Sequence, residues 1–252
     1  MRLKDLFKDS LKNLGLYMPA PPLWVRPLSA KSSFCRAVVA NGMLTKRQMV
    51  HAALRYRLDR SKDDAVIYWQ IDQMGRVHDG KLMWYGADCH RLKNRHATWA
   101  MYLLKKHFGM APESFVPKHV LFGLHLLSHP TPGPSPHKGG EYPKVCIVEA
   151  EKSAVILSEL YPQYVWLAAG GLFELQPPKF WALQHCQIIL LPDTDEELRA
   201  YTEWYDVAQQ VMQSFLWPKQ NRIYVSDFLE RHASADQKRR KIDLVDYIQE
   251  ST

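Results

Sequence analysis

The chain has 252 residues and a mass of 29.3 kDa, with 46% hydrophobic and 23% charged residues. This composition is typical of globular proteins, and it excludes a wholly disordered chain, a collagen-like fibre and a small disulfide scaffold. The formal net charge of +7 is unevenly distributed, since residues 1–140 carry +13, residues 141–215 carry −7 and residues 216–252 carry +1. Basic regions attract polyanions and acidic clusters attract cations. The two regions are therefore predicted to bind different partners.

The cysteines and the apolar runs indicate the compartment. Cys35, Cys89, Cys146 and Cys186 are too far apart in the sequence to form a CxxC pair, so no zinc ribbon is expected. Cys146 and Cys186 lie in apolar runs and are predicted to be buried thiols. No run reaches the roughly 18 apolar residues that a membrane span needs, and lysines interrupt the first 24 residues. The sequence therefore predicts a cytoplasmic protein with reduced thiols and no membrane partner.

The first part of the chain is predicted to be helical. Apolar residues between positions 3 and 16 indicate a short helix that packs against the domain. Ser32 or Ser33 is expected to cap a helix over 34–40, and Thr45 a helix over 46–60. The second helix has a basic face, which is either a phosphate contact or simply solvated. Its cations are Lys46, Arg47, Arg55, Arg57 and Arg60, and its expected core residues are Met49, Ala53, Tyr56 and Leu54.

A β-hairpin and a basic segment follow. The sequences AVIYWQID at 65–72 and KLMWY at 81–85 predict two strands joined by a turn. Residues 90–106 then combine cations with aromatic rings, a pattern that suits single-stranded nucleic acid because bases stack on the rings. The alternative is that its apolar residues Trp99, Tyr102 and Leu103 are core positions of a helix. The candidate nucleic-acid-binding cations are Arg91, Lys93 and Arg95.

A low-complexity segment, HPTPGPSPHKGGEY at 129–142, is predicted to be an exposed loop because its proline and glycine content prevents regular structure. The charge balance changes sign here. We therefore divide the chain into a basic N-terminal helical and β-hairpin region over 1–128, this Pro/Gly-rich loop over 129–142, and an α/β domain with a C-terminal helical tail over 143–252.

Strands and helices alternate after this loop. Apolar runs predict strands at 145–148, 164–168, 187–191 and 223–225, and helices are expected over 153–160, from 178 and over 196–213. This order predicts an α/β fold with a parallel sheet and helices on both faces. A short final helix is predicted from Leu244, Val245 and Ile248.

Acidic residues follow two of the predicted strands. Glu149 and Glu151 come after the first strand, and Asp193 and Asp195 come after the third. Ligands of open parallel sheets bind beyond the carboxyl ends of the strands. Carboxylate oxygens suit Mg²⁺, which can hold a phosphate group. The alternative is that these acids only cap the helices that follow them.

Three elements, in order, resemble a known family. VEAEKSA at 148–154 resembles the VEGEKDA signature of Toprim domains in phage and plasmid primases and primase–helicases, and LPDTDEELR at 191–199 resembles their LPDNDEPGR. Gly170-Gly171 lies where those domains have a glycine after the second strand. The resemblance covers about residues 142–215. The motifs AVIYWQID, GRVHDGKLMWY and FGLHLL are similar to primase-like proteins of bacterial mobile elements, in which the last motif leads almost directly into the Toprim strand, so 129–142 resembles an insertion.

The resemblance implies a Toprim-like parallel sheet and a Mg²⁺-dependent, or Mn²⁺-dependent, phosphoryl transfer on DNA. Glu149 would be a general acid/base or a metal ligand, and Asp193 and Asp195 would bind the metal. Lys152 and Arg199 would contact nucleic acid, although Lys152 could instead neutralise Glu149 or Glu151. The expected partners are nucleic acid and a replication or helicase protein.

The chain departs from the signature at three places. Ala150 replaces a glycine, Ser153 replaces an acid, and Glu197-Leu198 replaces Pro-Gly. Three functions therefore remain open: a primase-like or nuclease-like enzyme, a non-catalytic Toprim-like module that binds nucleic acid or a partner, and a structural α/β domain whose acids only cap helices.

Overall fold

The computed structural model describes residues 18–19, 30–109, 118–127 and 142–251. The chain divides into two compact units, unit 1 over residues 1–128 and unit 2 over residues 129–252. The helix predicted within residues 3–16 lies outside the described residues, and so does the Pro/Gly-rich loop except for Tyr142. No helix within the described ranges is long and apolar enough to cross a membrane.

Unit 1 begins its described helical part with α1 (Ser33–Ala40) and α2 (Lys46–Arg55). The predicted caps are confirmed, because Ser32 Oγ accepts the Cys35 N–H and Thr45 forms a capping box with Gln48.

The expectation that α2 reaches residue 60 is wrong. The helix ends at Arg55 and Arg57 takes a left-handed φ of 53°, so that Arg60 lies in a strand instead. The predicted basic helix face therefore loses Arg57 and Arg60. Leu54 was also expected in the core, but it is 52% exposed. Met49, Ala53 and Tyr56 are buried as predicted.

The sheet of unit 1 is antiparallel, with strand order β1-β4-β3-β2 and β5 paired to β4. Its centre is the predicted hairpin, in which Trp69 lies opposite Gly80. The Trp69 ring covers this glycine so closely that a Cβ there would lie 2.6 Å from the ring. The strands are β1 (Met18–Pro19), β2 (Asp59–Arg60), β3 (Val66–Ile71), β4 (Arg76–Met83) and β5 (Thr98–Trp99).

Helix α3 (Ala100–Phe108) packs Met101 and Leu104 into the core of this hairpin. The alternative that Tyr102 and Leu103 are core positions is wrong, since they are 59% and 39% exposed. Trp99 is partly buried and stacks on His119, with ring centroids 4.1 Å apart. The helix therefore leaves a tyrosine ring open to solvent beside its basic residues.

Unit 2 contains the predicted parallel sheet flanked by helices, which confirms the α/β fold class for this part of the chain. The strand order is β7-β6-β8-β9 and all three pairings are parallel. The elements are β6 (Lys144–Val148), α4 (Glu151–Leu160), β7 (Val165–Ala168), two 3₁₀ segments at Leu172–Glu174 and Pro177–Leu183, β8 (Gln187–Leu191), α5 (Arg199–Gln213) and β9 (Ile223–Val225).

The connections of this sheet run in opposite directions from its two central strands. The connection after β6 leads to β7 on one side, and the connection after β8 leads to β9 on the other side. Such a reversal creates a crevice at the carboxyl ends of the two central strands, which is where open α/β sheets bind ligands.

Three short helices complete unit 2: α6 (Phe228–His232), α7 (Ala235–Arg240) and α8 (Leu244–Glu250). The last of these is the predicted final helix, and it contacts α4. Its N-cap is Asp243, which forms a capping box with Asp246. The preceding residue, Ile242, accepts a hydrogen bond from the Thr194 N–H, so this segment lies beside the loop that follows β8.

Candidate functional site

The carboxyl ends of β6 and β8 lie side by side, because Val148 pairs with Leu191. Each strand is followed by an acidic side chain, Glu149 after β6 and Asp193 after β8, and both are half-buried. A carboxylate oxygen of Glu149 accepts the backbone N–H of Asp193 at 3.3 Å. The structure therefore brings together two of the three residues that the sequence predicts as metal ligands.

Burial raises the proton affinity of both carboxyl groups, and the hydrogen bond from the Asp193 N–H offsets part of this rise at Glu149. Burial raises the pKa of Glu149 to about 7, and the charges of Asp195 and Asp243 add to the rise. Burial, followed by the charge of Glu149, raises the pKa of Asp193 well above its usual range. The charge of Lys152 offsets only part of the rise in the pKa of Asp193, so the pair favours either a shared proton or a bound cation.

Asp195 has a different role in the structure. One of its oxygens accepts the N–H groups of Glu197 and Arg199, and the other accepts the N–H of Ala200 at 2.9 Å. These donors hold the pKa of Asp195 below its usual range even though burial alone would raise it. For Asp195, the alternative prediction that the acid caps the helix that follows it is therefore confirmed.

The same turn explains why α5 begins late. Leu198 takes a left-handed φ of 57°, so the helix starts at Arg199 and not at the predicted residue 196.

Lys152 is a buried member of an ion-pair network. Its Nζ lies 3.2 Å from Asp243 and 3.4 Å from Asp246, and its side chain is 9% exposed. The sequence suggested a phosphate contact or neutralisation of Glu149 or Glu151. The carboxylate partners found here come instead from the N-terminus of α8. The lysine therefore ties α4 to α8.

Asp243 is a buried acid next to the site, and the sequence reasoning missed it. Ser153 Oγ donates to its carboxylate at 2.6 Å, so a carboxylate from the N-terminus of α8 lies against α4. Burial would raise the pKa of Asp243, but the charge of Lys152 and the Ser153 hydroxyl lower it. In the sequence, the spacing of Asp243 and Asp246 indicates a capping box, which predicts the start of a helix. It does not predict which residues that helix contacts.

The remaining predicted elements of unit 2 lie near the same edge. The N–H of Gly170 donates to the Glu149 carbonyl at 2.9 Å, so the glycine turn is adjacent to the acidic residue. Arg199, at the start of α5, is exposed and its guanidinium lies 5.1 Å from the centre of the Phe173 ring. It remains accessible to a ligand.

A divalent cation at this edge of the sheet would be held by Glu149 and Asp193. Within residues 30–109, 118–127 and 142–251, no set of three or more His, Cys, Asp or Glu side chains is arranged to hold a metal ion. Mg²⁺ usually takes one or two carboxylates, keeps several waters and binds substrate phosphates. Glu149 and Asp193 fit this requirement, whereas both oxygens of Asp195 already accept backbone N–H groups.

The predicted nucleic-acid-binding cations Arg91, Lys93 and Arg95 lie in unit 1, between β4 and β5, and all three are exposed. Arg95 pairs with Asp63 at 3.0 Å and its guanidinium lies 5.1 Å from the centre of the Trp84 ring. Part of its charge is therefore compensated.

Comparison with known proteins gives one family and several solved structures. The model of the family described as "Domain of unknown function (DUF6371)" matches residues 32–194. No curated protein matches the chain.

Three of the similar solved structures contain primase domains. The primase fragment of the bacteriophage T7 primase–helicase protein has 14% identity and a TM-score of 0.43, over 76% of this chain and 70% of that chain. A chain of the bacteriophage T7 lagging-strand DNA polymerase complex with primase domains has 16% identity and a TM-score of 0.43. The match covers 75% of this chain and 85% of that chain. The Aquifex aeolicus primase, with its zinc-binding and RNA polymerase domains, has 15% identity and a TM-score of 0.39, over 82% of this chain and 48% of that chain.

Proposed function

The chain belongs to the family described as a domain of unknown function, DUF6371, and we propose that it is a Mg²⁺-dependent, primase-like protein that processes nucleic acid in mobile-element DNA replication. The observation that carries the proposal is the pairing of Glu149 and Asp193 in the crevice between β6 and β8. The proposal is also supported by the Toprim-like motifs around these two residues. Its partners would be DNA and a replication or helicase protein.

Each residue of the site has a defined part in this proposal. Without a bound cation, Glu149, whose pKa is raised to about 7, is suited to act as a general acid/base near neutral pH, and as a ligand of a cation it would instead stay ionised. Glu149 and Asp193 would hold Mg²⁺ or Mn²⁺, which when bound supplies charge stabilisation to a transferring phosphoryl group. Asp195 would act indirectly, because its carboxylate holds the turn at which α5 begins.

The surroundings support binding of a polyanion. Arg199 is exposed at the start of α5, where a helix N-terminus also favours anions. In unit 1, the exposed cations Arg91 and Lys93 and the exposed ring of Tyr102 suit a single strand, which combines phosphates with stacking bases.

A Mg²⁺-dependent primer-synthesis and nuclease assay on single-stranded DNA tests the function. Glu149→Gln and Asp193→Asn should each lower the rate at least about 100-fold, the usual contribution of a positioned acid or base. Asp195→Asn, which keeps one capping oxygen, should lose less. Asp206→Asn removes an exposed acid of α5 and serves as the matched control, with the rate expected to stay near that of the wild type. Unchanged rates in both Glu149→Gln and Asp193→Asn would refute the proposed site.

A second candidate function is a non-catalytic module that binds nucleic acid or a replication partner. It is favoured by the engagement of Asp195 in helix capping and of Lys152 with Asp243, because two of the three predicted metal ligands, Glu149 and Asp193, then remain for a cation. This candidate predicts nucleic-acid binding that weakens steeply with salt, without turnover in Mg²⁺ or Mn²⁺. Measurable turnover that is lost in Asp193→Asn would exclude it.

A further inference from the structure

Unit 2 has a second concave region at the opposite end of its parallel sheet. A cavity of about 600 Å³ opens where β6, β8 and β9 begin, and its lining includes Lys144, Gln187 and Arg222. Lys144 and Val148 are the two ends of β6, and a strand of this length separates them by about 13 Å. The cavity is therefore distinct from the Glu149–Asp193 crevice at the carboxyl ends.

The lining of this cavity combines aromatic rings with cations. The rings belong to Tyr142, Tyr164, Tyr224 and His185. The rings of Tyr142 and His185 are nearly parallel, with centroids 6.3 Å apart and planes at 20°, and Tyr142 and Tyr224 are more than half exposed.

The cations of the cavity have free charges. Lys144 and Arg222 are exposed, and neither has an ion-pair partner within the part of the chain that the structure describes. Two uncompensated cations therefore line the cavity beside faces of aromatic rings.

Hydrogen bonds hold one wall of the cavity in place. Asn221 donates its side-chain amide to the Gln184 carbonyl at 2.9 Å, and Gln184 donates in turn to the Leu216 carbonyl at 3.1 Å. The Trp217 indole N–H donates to the Asn221 carbonyl at 2.9 Å. The loop that precedes β9 is thus fixed against the segment that precedes β8, so the cavity is formed before any ligand binds.

We propose that this cavity binds a nucleotide unit, with the base against the tyrosine rings and the phosphate at Lys144 and Arg222. Bases stack on aromatic side chains, phosphates pair with cations, and the amides of Gln187 and Gln220 can pair with base edges. The volume lies within the usual range for small-ligand sites. A purely apolar ligand would leave both cations without counter-charges, and a simple anion would leave the rings unused.

The nucleotide unit comes from one of two sources that share this chemistry, a free nucleotide or one residue of a single strand. The experiment uses the full chain in EDTA, so that a metal bound by Glu149 and Asp193 contributes nothing and failure of the proposed function has no effect on the result. AMP and dTMP are titrated calorimetrically. A fluorescein-labelled oligothymidylate carrying 5-iodouracil is followed by anisotropy and by mapping its photo-crosslinks.

The test compares two cavity variants with a matched control. Tyr224→Ala should weaken binding at least about fivefold, the lower limit for loss of one stacking contact. Arg222→Gln should weaken it about threefold or more and lower its salt dependence. Arg239→Gln removes an exposed cation of α7 that does not line the cavity and should leave affinity within about twofold of the wild type.

Each outcome decides between the sources or against the proposal. Weaker binding of both mononucleotide and oligonucleotide identifies a free nucleotide as the ligand. Weaker binding of the oligonucleotide alone, with crosslinks in the cavity peptides, identifies a strand. The proposal is overturned if the wild-type chain binds neither probe, or if Tyr224→Ala and Arg222→Gln both match the wild type.

Discussion

At the scale of single residues, the counter-charges determine which carboxyl groups of unit 2 are free for chemistry. Asp195 is kept ionised by backbone donors, and Asp243 by Lys152 and Ser153. At Glu149 and Asp193 burial outweighs the opposing effects of the Asp193 N–H and of the Lys152 charge, so the pKa of each is raised. Four acids thus form two classes, of which only the second presents carboxyl groups whose proton or cation is exchangeable. In the proposed function, a substrate phosphate and its cation would bind at Glu149 and Asp193.

A buried histidine gives a residue-scale prediction about pH. His125 of unit 1 is 8% exposed and burial lowers its pKa to about 4. Because the value in the unfolded chain is near 6.5, acid protonates the unfolded state first. The stabilisation is therefore complete above about pH 6.5 and is lost as the pH falls towards 4, by up to about 3 kcal/mol.

Urea unfolding at pH 7 and at pH 5 measures this effect. The free energy of unfolding should fall more for the wild type than for His125→Gln, which has no titrating group at that position. Carboxyl groups contribute equally to both proteins, so the difference isolates the histidine. An identical fall in the two proteins would contradict the prediction.

At the scale of elements, local signals were predictable and distant contacts were not. The caps at Ser32 and Thr45 follow from short-range hydrogen bonding, so the starts of α1 and α2 were predicted correctly. The end of α2 was missed because the chain turns at Arg57 to pair β2 with β3. The contact of Asp243 with Ser153 joins residues 90 positions apart, and no pattern in the sequence predicts such a neighbour.

This distant contact gives an element-scale prediction about how α8 is attached to α4. Asp243→Asn removes a buried negative charge 3.2 Å from the Lys152 Nζ, whereas the ion pair of Lys152 with Asp246 is kept. Removal of one partner of a buried ion pair typically costs about 3 kcal/mol or more. The free energy of unfolding should therefore fall by about 3 kcal/mol in urea titrations, whereas Asp206→Asn should change it by less than about 0.5 kcal/mol. A fall below 1 kcal/mol for Asp243→Asn would mean that the network does not stabilise unit 2.

At the scale of the whole molecule, the net charge of +7 is the sum of two opposed regions. The stretch with −7, residues 141–215, contains Glu149, Asp193 and Asp195, so it coincides with the sheet that presents the carboxylate pair. The stretch with +13, residues 1–140, contains Arg91, Lys93 and Arg95. The charge distribution thus separates the proposed polyanion surface from the proposed cation site along the sequence, and each can be tested independently of the other.

The last prediction concerns the polyanion surface. The affinity of the full chain for single-stranded DNA should fall steeply with salt, because each phosphate contact contributes about 0.7 to the slope of log affinity against log salt. The triple variant Arg91→Gln, Lys93→Gln, Arg95→Gln should therefore lower this slope by up to about 2. The matched control Arg231→Gln, Arg239→Gln, Arg240→Gln removes the same charge from exposed positions of unit 2 and should keep the slope of the wild type. An equal decrease of the slope in both triple variants would mean that net charge determines binding, and a wild-type slope in both would mean that the segment between β4 and β5 does not contact phosphates.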